Sequence, residues 1–462
     1  MLFRVHTSAL RVRGGAVSAW ASEAVAATLG VSGPRGLQFT GVSTDTRQLT
    51  AGTLFVALKG DRFDAHDFLA QAKAQGAGAA VVRRGTAPVD GLPLFEVPDT
   101  LAALGQLARA RRRMLPRGSP VVAITGSSGK TSTREMIRAV LATSYRVHAT
   151  GGNLNNLVGV PLTLLATPDD AEALVVEAGA SVPGEIPRLR DVIEPSIAVI
   201  TNVGYAHVEG FGSLTGVMQE KLSLLDGVRM AVVGTDPPEL AREARRRAPT
   251  VVAGTSPAAD LRPDSAELDD DGHPRITWRG HTATLPVVGY HQIENAALAL
   301  AVGREAGTDP ARAVAALAGV RLPAGRGAVL TLGGLTVIDD SYNANPGSLH
   351  WAVRLAYWLA SRRQRPLAVV VGSMLELGPE SARLHAAAAA EIAALEPALV
   401  AAVGEFVPAF EPYRTALGER LLTAADAEAL GPQLKAALRG KEVVLVKASR
   451  GVALERVLRY LN

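Results

Sequence analysis

The sequence predicts an α/β protein built from three domains. Its 462 residues correspond to about three domains at the usual 100 to 200 residues each. Short apolar, β-branched runs alternate with helical stretches, which is typical of parallel sheets whose two faces are covered by helices. In chain order the pattern falls into three blocks, 1–98, 99–322 and 323–462. We expect a small N-terminal α/β domain, a central parallel-sheet domain and a C-terminal α/β domain.

The composition indicates a soluble globular protein, with 48% hydrophobic and 20% charged residues. The net charge of +4 is small for this length. The arginine triplets Arg111–Arg113 and Arg245–Arg247 lack interleaved aromatic residues, so they favour solvated helix faces over a nucleic-acid surface. We therefore predict no nucleic-acid partner.

The chain contains no cysteine, which excludes disulfides and cysteine nucleophiles and is consistent with a reducing compartment. Arginines interrupt the stretch Met1–Trp20, so it lacks the apolar core of a signal peptide. No run approaches the roughly 18 apolar residues of a membrane span. The prediction is a cytoplasmic protein without membrane insertion.

The first block has predicted strands at Leu54–Leu58 and Ala79–Val82, with a helix over Phe68–Gln75 between them. Two polar loops, Ser43–Arg47 and Lys59–Phe68, accompany these elements. Their composition is equally compatible with turn chemistry and with a binding site.

The central block follows a predicted helix at Thr100–Met114 and contains a glycine-rich loop between a strand, Pro120–Ile124, and a helix that includes Met136–Leu141. Two glycines allow backbone N–H groups and the helix N-terminus to point at phosphates, while a lysine supplies a cation and a threonine can bind Mg²⁺. The loop has two residues fewer than the general P-loop pattern, and a plain Gly-Ser turn is the alternative. The predicted nucleotide-binding loop comprises Gly126, Ser127, Ser128, Gly129, Lys130, Thr131 and Ser132.

Lysine is rare in this chain, because only seven of the 48 basic residues are lysine. Arginine evidently suffices where surface charge alone is needed. A retained lysine therefore suggests a compact ammonium or a reactive amine, which guanidinium cannot replace. Lys130 fits the first role.

Polar side chains also end the other central strands. Predicted strands cover Tyr145–Thr150, Ala173–Glu177 and Ile197–Thr201, and the last leads to His207. Ligands bind at the carboxyl ends of strands in such sheets, so Thr131, Glu177 and His207 are predicted to share a Mg²⁺-binding crevice, although imidazole is an atypical Mg²⁺ ligand. The alternatives are a helix-capping role for Glu177 and an ordinary loop position for His207.

Lys221 lies in a predicted helix, Leu214–Leu225. Helical periodicity alone is compatible with an exposed position for Lys221. The rarity of lysine in this chain instead favours a functional role for its amine. An uncharged amine in a metal site can take up carbon dioxide, and the resulting carbamate is an anionic oxygen ligand.

Near the end of the central block, Asp269–Pro274 followed by Arg275–Leu285 predicts a hairpin, and Gly289–Asn295 opens a predicted helix that continues through Val302. Asn295 in this helix fits either a helix-start cap or a purine contact. In the last block, a Gly333–Gly334 hairpin leads to a strand that ends at Asp339 and Asp340. These acidic residues resemble the acidic strand end of a nucleotide site. Because the glycine-rich loop belongs to the central block, the last block would close over the nucleotide as a separate domain. Further strands are predicted at 367–371, 398–403 and 443–446.

Several motifs together resemble the Mur ligases: T-G-S-S-G-K-T-S, G-N-L-N-N-x-x-G-V-P, T-N-V-G-Y-A-H, H-x-x-x-N and D-D-S-Y-N-A-N-P, flanked by S-T-D-T-R and M-L-E-L-G. The resemblance covers nearly the whole chain. It implies an N-terminal domain for a UDP-sugar, a central ATPase domain and a C-terminal Rossmann-like domain that closes on ATP and receives an amine.

The resemblance also implies roles for individual residues. Lys130 would hold the γ-phosphate, Thr131 and Glu177 would bind one Mg²⁺, and His207 with a carbamylated Lys221 would bind a second. The implied nucleotide contacts are Asn295, Arg326, Asp340 and Asn345. The implied contacts to the UDP-muramoyl substrate are Thr44, Asp45, Arg47, Asn155 and Asn156.

The implied activity is an ATP-dependent, ADP-forming amide ligation in peptidoglycan precursor synthesis, with ATP and Mg²⁺ as cofactors. A substrate carboxylate would become an acyl phosphate that an amine then attacks. The implied substrates are UDP-N-acetylmuramoyl-tripeptide and D-alanyl-D-alanine, and the expected state is a monomer.

Other interpretations remain open. A folylpolyglutamate-type ligase would lack the long segment ahead of the glycine loop. The ligase that adds the preceding stem residue would carry a D-N-P-R motif, which is absent here, and a GTPase would carry N-K-x-D, also absent. A P-loop small-molecule kinase and a non-catalytic nucleotide-gated scaffold are the alternatives from other classes.

Overall fold

The computed structural model describes residues 20–60 and 63–462 of the chain. The predicted absence of a signal peptide concerns residues 1–19, which lie outside the described residues. The described residues form two compact units. The first contains 20–60, 63–123, 145–179 and 185–196, and the second contains 124–144, 180–184 and 197–462. Within the described part, none of the helices combines the length and apolar character that crossing a bilayer requires.

The N-terminal residues form a small α/β structure. Parallel pairing gives a sheet of order β3-β4-β5-β6, and β1 pairs with β2 in antiparallel fashion. The predicted strands and helix of this block are confirmed, and β1 to β3, β6 and α1 were not predicted. The elements are β1 (Trp20–Ala21), α1 (Ser22–Leu29), β2 (Gln38–Phe39), β3 (Val42–Ser43), β4 (Thr53–Val56), α2 (Leu69–Ala74), β5 (Ala77–Arg83), β6 (Leu94–Val97) and α3 (Thr100–Arg112).

The first arginine triplet is only in part the solvated helix face predicted for it, because Arg113 is exposed but Arg111 is not. Arg111 is only 4% exposed, because its guanidinium donates to the Thr167 carbonyl and pairs with Asp169 at 2.6 Å. Arg112 donates from Nε to the Ile193 carbonyl at 2.9 Å. These bonds satisfy charges that would be costly to bury unpaired. The second triplet, 245–247, is exposed as predicted.

The central sheet has the strand order β12-β11-β10-β7-β9-β8, and β7 contributes residues to both units. Hydrogen bonds run from the Ser196 N–H to the Val121 carbonyl and from the Thr201 N–H to the Thr125 carbonyl, so β10 is parallel to β7. The elements are β7 (Val121–Thr125), α4 (Lys130–Leu141), β8 (Val147–Ala149), α5 (Gly159–Leu165), β9 (Ala173–Glu177), α6 (Glu185–Ile193), β10 (Ile197–Ile200), α7 (Val208–Phe211), α8 (Leu214–Leu222), β11 (Met230–Val233), α9 (Pro238–Arg245) and β12 (Thr250–Val252).

The next segment confirms the predicted hairpin and adds a strand to it. β13 (Ser265–Leu268), β14 (Pro274–Trp278) and β15 (His281–Thr284) pair in antiparallel order. Two helices follow, α10 (His291–Glu305) and α11 (Pro310–Leu317). Helix α10 packs against α4, which carries the glycine-rich loop at its N-terminus. This packing brings the H-x-x-x-N motif to that loop.

The C-terminal residues form a second sheet of order β16-β17-β21-β18-β19-β20, parallel except for β16. Buried apolar side chains cover both of its faces. The elements are β16 (Ala328–Leu332), β17 (Leu335–Asp339), α12 (Pro346–Arg362), β18 (Leu367–Val371), α13 (Ser381–Ala394), β19 (Leu399–Val403), α14 (Phe406–Ala409), α15 (Arg414–Leu417), β20 (Leu421–Ala424), α16 (Ala427–Ala437) and β21 (Val443–Lys447). The α/β fold class is confirmed, whereas domain boundaries at 98 and 322 stay predictions.

Candidate active site

The glycine-rich loop connects β7 to α4, as predicted. Gly126 has φ +151° and Gly129 has φ +77°, conformations that other residues rarely adopt. Space is also limited, because a Cβ on Gly126 would lie 1.9 Å from Thr201 Oγ1 and one on Gly129 would lie 2.6 Å from Asn295 Oδ1. The two glycines are therefore required by both conformation and space.

Polar groups that follow β10 hold this loop in place. The Ser127 N–H donates to the Asn202 carbonyl at 3.0 Å, and the Ser128 N–H donates to Asn202 Oδ1 at 3.0 Å. Thr201 Oγ1 donates to the Ser128 carbonyl at 2.5 Å. Thr201 and Asn202 were not among the predicted site residues, although a polar pair directly after a buried strand was the available signal. These bonds pre-organise the loop.

The loop and the start of α4 fit a bound phosphate chain. The first N–H groups of an α-helix lack acceptors within the helix and carry a partial positive charge, so they favour an anion. Lys130 opens α4, and its Nζ donates to the Gly126 carbonyl at 2.7 Å, which keeps the ammonium over the loop. Thr131 and Ser132 follow in the buried first turn. Together these groups supply a cation, N–H donors and a hydroxyl.

We predict that Gly129→Ala lowers nucleotide affinity at least about tenfold, the effect of losing ~1.4 kcal/mol of interaction. The added Cβ would displace Asn295 Oδ1, which accepts a hydrogen bond from Thr133 Oγ1 at 3.1 Å. The matched control is Gly227→Ala, because Gly227 has φ +82° but nothing within 4 Å of an added Cβ. Calorimetry with an ATP analogue measures the nucleotide affinity of each variant, and thermal unfolding shows whether a variant has also lost stability. Equal affinities in both variants would contradict the prediction.

Lys221 lies on α8 and is buried. The interpretation of Lys221 as an exposed surface residue, which helical periodicity allowed, is therefore wrong. Only 2% of the residue is exposed. Burial, assisted by the charge of Lys130 and opposed by Glu220, lowers the pKa of the Lys221 amine to about 7. A substantial fraction of this amine is therefore uncharged near neutral pH, which is the form that can react with carbon dioxide.

His207 follows β10 in a left-handed conformation, with φ +57°. Its Nδ1 contacts the carboxylate of Glu376, a residue of the M-L-E-L-G motif. An ionised carboxylate only accepts hydrogen bonds, so Nδ1 is the donor in this contact, and whenever the ring is neutral Nε2 keeps a lone pair. A metal-binding role for His207 stays a prediction.

Glu177 ends β9 in the first compact unit and is 2% exposed. Its Oε1 accepts from Asn155 Nδ2 at 2.9 Å, and its N–H donates to Thr150 Oγ1 at 3.0 Å. The next helix, α6, begins only at Glu185, so Glu177 is not its cap. The contact joins a predicted metal ligand to a predicted substrate residue within that unit.

Two asparagines link other elements to the glycine-rich loop. Asn295 lies inside α10 and not at its start, so the cap interpretation is wrong. Its Nδ2 donates to Gln292 Oε1 at 2.9 Å, and its Oδ1 faces Gly129. Asn345 caps α12 through the Ser348 N–H, and its Nδ2 also donates to the Ser127 carbonyl at 3.2 Å. The C-terminal block thereby contacts the loop directly.

Arg326 and Asp340 lie in polar surroundings that fit a ligand. Arg326 stacks over the Tyr342 ring at 4.1 Å, and Lys447 Nζ pairs with Asp340 Oδ2 at 2.5 Å. In the described part of the chain, Arg326 Nε and His291 Nδ1 are buried without a hydrogen-bond partner. Such atoms are costly unless something pairs with them, so a polar ligand such as a nucleotide fits here.

The predicted substrate residues near the N-terminus form a turn. Asp45 Oδ1 accepts from the Arg47 N–H at 3.0 Å, and the two side chains form an ion pair. The Arg47 guanidinium holds the pKa of the Asp45 carboxyl below its usual range. Turn chemistry is therefore present at Asp45 and Arg47, while substrate binding by these residues and by Thr44 stays a prediction. Asn156 accepts at its Oδ1 from the Gly159 N–H at 2.8 Å.

The donor set fits Mg²⁺ assisted by phosphate. Across residues 20–60 and 63–462, no three His, Cys, Asp or Glu side chains cluster as a ready metal site. Mg²⁺ does not need such a cage, because it commonly binds one or two carboxylates together with waters and substrate phosphates. Thr131 offers a hydroxyl oxygen and Glu177 a carboxylate, which are ligand types of this kind, while Mg²⁺ binding by these residues, His207 and Lys221 stays a prediction.

Comparison with known families accounts for most of the chain. The Mur ligase middle domain matches residues 124–303, the Mur ligase glutamate ligase domain matches 325–450, and the Mur ligase family catalytic domain matches 38–112. UDP-N-acetylmuramoyl-tripeptide--D-alanyl-D-alanine ligase of Bacillus subtilis is 36% identical over 432 residues, which cover 91% of this chain and 93% of that protein. The chain belongs to the Mur ligase family.

Further relatives agree with this assignment. The enzyme of the same name from Escherichia coli is 38% identical to this Mur ligase over 442 residues, 91% of the chain and 93% of the relative. The crystal structure of MurF from Acinetobacter baumannii superimposes with a TM-score of 0.86 at 28% identity and covers 96% of this chain and 99% of that one. MurF of Thermotoga maritima, solved with ADP, gives 0.80 at 30% identity and covers 91% of this chain and 96% of that one. The three-domain α/β fold predicted for this Mur ligase is confirmed.

Proposed function

We propose that this Mur ligase joins D-alanyl-D-alanine to UDP-N-acetylmuramoyl-tripeptide in an ATP-dependent, ADP-forming reaction. One observation carries the proposal: relatives with this named activity are 36% and 38% identical and align with 91% of the chain. The glycine-rich loop, with Lys130 fixed over it, supports the nucleotide part. The absence of the D-N-P-R motif from the sequence argues against the ligase that adds the preceding residue.

The proposed roles follow from the chemistry of the residues. Lys130 and the N-terminus of α4 neutralise charge on the transferred phosphoryl group, which mostly requires positioning and electrostatics. Thr131 and Glu177 would bind one Mg²⁺, and His207 with a carbamylated Lys221 would bind another. When bound, ATP supplies the phosphoryl group and Mg²⁺ neutralises its oxygens. The substrate carboxylate is thereby activated as an acyl phosphate, and the dipeptide amine displaces phosphate.

The remaining polar residues are proposed to bind and orient. The proposed nucleotide contacts are Asn295, Arg326, Asp340 and Asn345. Asn295 and Asn345 lie against the glycine-rich loop, Arg326 Nε is buried without a hydrogen-bond partner, and Asp340 follows β17 and pairs with Lys447. The proposed contacts to the UDP-muramoyl substrate are Thr44, Asp45, Arg47, Asn155 and Asn156. Closure around bound nucleotide would exclude water from the acyl phosphate. The enzyme is proposed to act as a monomer in the cytoplasm.

We predict that phosphate release from ATP requires both UDP-N-acetylmuramoyl-tripeptide and D-alanyl-D-alanine. The tripeptide supplies the carboxylate that is phosphorylated and the dipeptide amine consumes the activated carboxyl group, so turnover with either substrate omitted should fall more than about tenfold. A coupled phosphate-release assay measures this, with mass spectrometry of the nucleotide-linked product.

The same assay separates the alternative functions. Replacing the dipeptide by a free diamino acid tests the ligase of the preceding step, and a folate with glutamate tests the folylpolyglutamate-type activity. A small-molecule kinase would produce a stable phosphorylated acceptor without any amine. Rapid turnover with one substrate alone would contradict the proposed ligation.

A further inference from the structure

His207 and Glu376 are 169 positions apart in the sequence, yet their side chains are in direct contact. His207 follows β10 of the central sheet, whereas Glu376 lies between β18 and α13 of the C-terminal sheet. The two side chains are 28% and 32% exposed. The pair is therefore accessible to ligands and is not a contact of the packed core.

The backbone at both residues adopts an uncommon conformation. His207 has φ +57° and Glu376 has φ +64°, and such values are unfavourable for residues other than glycine. The two loops also approach closely: the Glu209 N–H donates to the Glu376 carbonyl at 3.2 Å, and a Cβ on Gly378 would lie 3.1 Å from Glu209 Cα. Strain of this kind persists where the surroundings impose it, and it often accompanies function.

The loop that carries Glu376 is held by neighbours on both sides. The Met374 N–H donates to Nε2 of the buried His385 at 2.9 Å, and the Leu375 N–H donates to Ser449 Oγ at 2.9 Å. Both anchors belong to the C-terminal sheet and its helices. Glu376 is thus presented from a fixed loop, which is what positioning another side chain requires.

We propose that Glu376 is a positioning residue for His207, with its carboxylate holding the imidazole as the Nδ1-protonated tautomer so that Nε2 is available to Mg²⁺. This inference rests on the proposed function. Histidines that bind metals commonly donate their other N–H to a carboxylate, which fixes both tautomer and ring orientation. The two residues come from different sheets. The tautomer and orientation of the imidazole are therefore fixed only when the loop that carries Glu376 lies beside the end of β10.

The tautomer is tested on the full-length, metal-free protein by NMR of ¹⁵N-labelled histidine, with His207→Gln used to assign the signals. We expect the wild-type His207 to carry its proton on Nδ1 alone. Glu376→Ala should give a mixture of tautomers, and Glu376→Gln should retain Nδ1–H because its carbonyl still accepts. The matched control is Glu391→Ala, which breaks a comparable exposed pair with His350, 2.7 Å apart on the C-terminal domain, and should leave the His207 signals unchanged.

Kinetics and metal binding complete the test. We expect Glu376→Ala to lower kcat about 10- to 100-fold, the usual effect of losing a partner of a metal ligand, with unchanged KM for both substrates. Mn²⁺ binding with a nonhydrolysable ATP analogue, followed by electron paramagnetic resonance, should weaken in parallel, and Glu376→Gln should recover part of both losses.

Two outcomes would overturn the inference. One is an unaltered His207 tautomer in Glu376→Ala, and the other is full kcat and Mn²⁺ affinity in a folded Glu376→Ala protein. If Glu376→Ala does not fold, Glu376→Gln decides, since it must retain Nδ1–H and lose only part of kcat. Failure of the proposed function is distinguishable, because wild-type protein would then show no dual-substrate turnover while the NMR result would still report on the pair.

Discussion

Lys130→Ala is expected to lower kcat for ATP-dependent ligation roughly 10²–10³-fold, the usual effect of removing one donor from a pre-organised charge-stabilising site. The structure fixes Lys130 at the first position of α4, with Nζ bonded to the Gly126 carbonyl at 2.7 Å. No other side chain in the loop between β7 and α4 carries a positive charge. The transferred phosphoryl group would therefore lose its one cationic contact from this loop.

The measurement is steady-state phosphate release with both substrates, together with calorimetric binding of ATP. Lys435→Ala is the control, because Lys435 is an exposed lysine of α16 remote in sequence from the loop, and it should leave kcat unchanged. Lys130→Arg should recover little activity, since a guanidinium is larger and hydrogen-bonds in a fixed planar geometry. Wild-type kcat in Lys130→Ala would remove Lys130 from phosphoryl transfer.

The local elements of this fold could be predicted because each depends on neighbouring residues. The apolar run at β9 and the strand–loop–helix pattern around Gly126 are examples. Apolar runs and helical spacing report backbone state directly. Very short strands such as β1 and β2, two residues each, have no such pattern, and they form only because the rest of the domain brings them together.

The environment of a charged side chain was harder to predict than its position. Arg111 and Lys221 both carry charges that periodicity assigns to solvent, yet both are buried. Arg111 is buried because distant acceptors satisfy its guanidinium, and these acceptors are invisible in the local sequence. Burial excludes the exposed position that helical periodicity allowed for Lys221, whereas the function suggested by the rare use of lysine stays a prediction.

The partners of the site residues were the least predictable feature. Glu376 contacts His207 across 169 positions, and Asn345 bonds to Ser127 across 218. Both contacts depend on how separate sheets are arranged, which single-sequence patterns do not encode. The motif that contains Glu376 was recognisable, but its role became apparent only through the contact.

Lys221→Ala is expected to lower kcat by at least about 100-fold, since loss of a direct metal ligand should exceed the upper range for its outer partners. Lys221→Arg distinguishes a need for positive charge from a need for carbamate formation, because arginine keeps a cation but cannot form a carbamate. Both variants should be inactive, and short carboxylates such as acetate or formate should partly restore activity to Lys221→Ala. Lys441→Ala, at an exposed lysine, is the control. Full activity of Lys221→Arg would exclude a carbamate.

The pH dependence provides an independent test of the same amine. Its pKa is lowered to about 7, mainly by burial, and only the neutral amine reacts with carbon dioxide. Below this pH the neutral fraction falls about tenfold per unit, so reactivation of the carbamate-free enzyme at a constant concentration of dissolved carbon dioxide should slow as the pH drops from 8 to 6. Carbon-13 NMR with labelled bicarbonate should show a carbamate signal in wild type that is absent from Lys221→Arg. An identical signal in wild type and Lys221→Arg would show that the carbamate forms on a group other than Lys221, and would exclude Lys221 as the carbamylated residue.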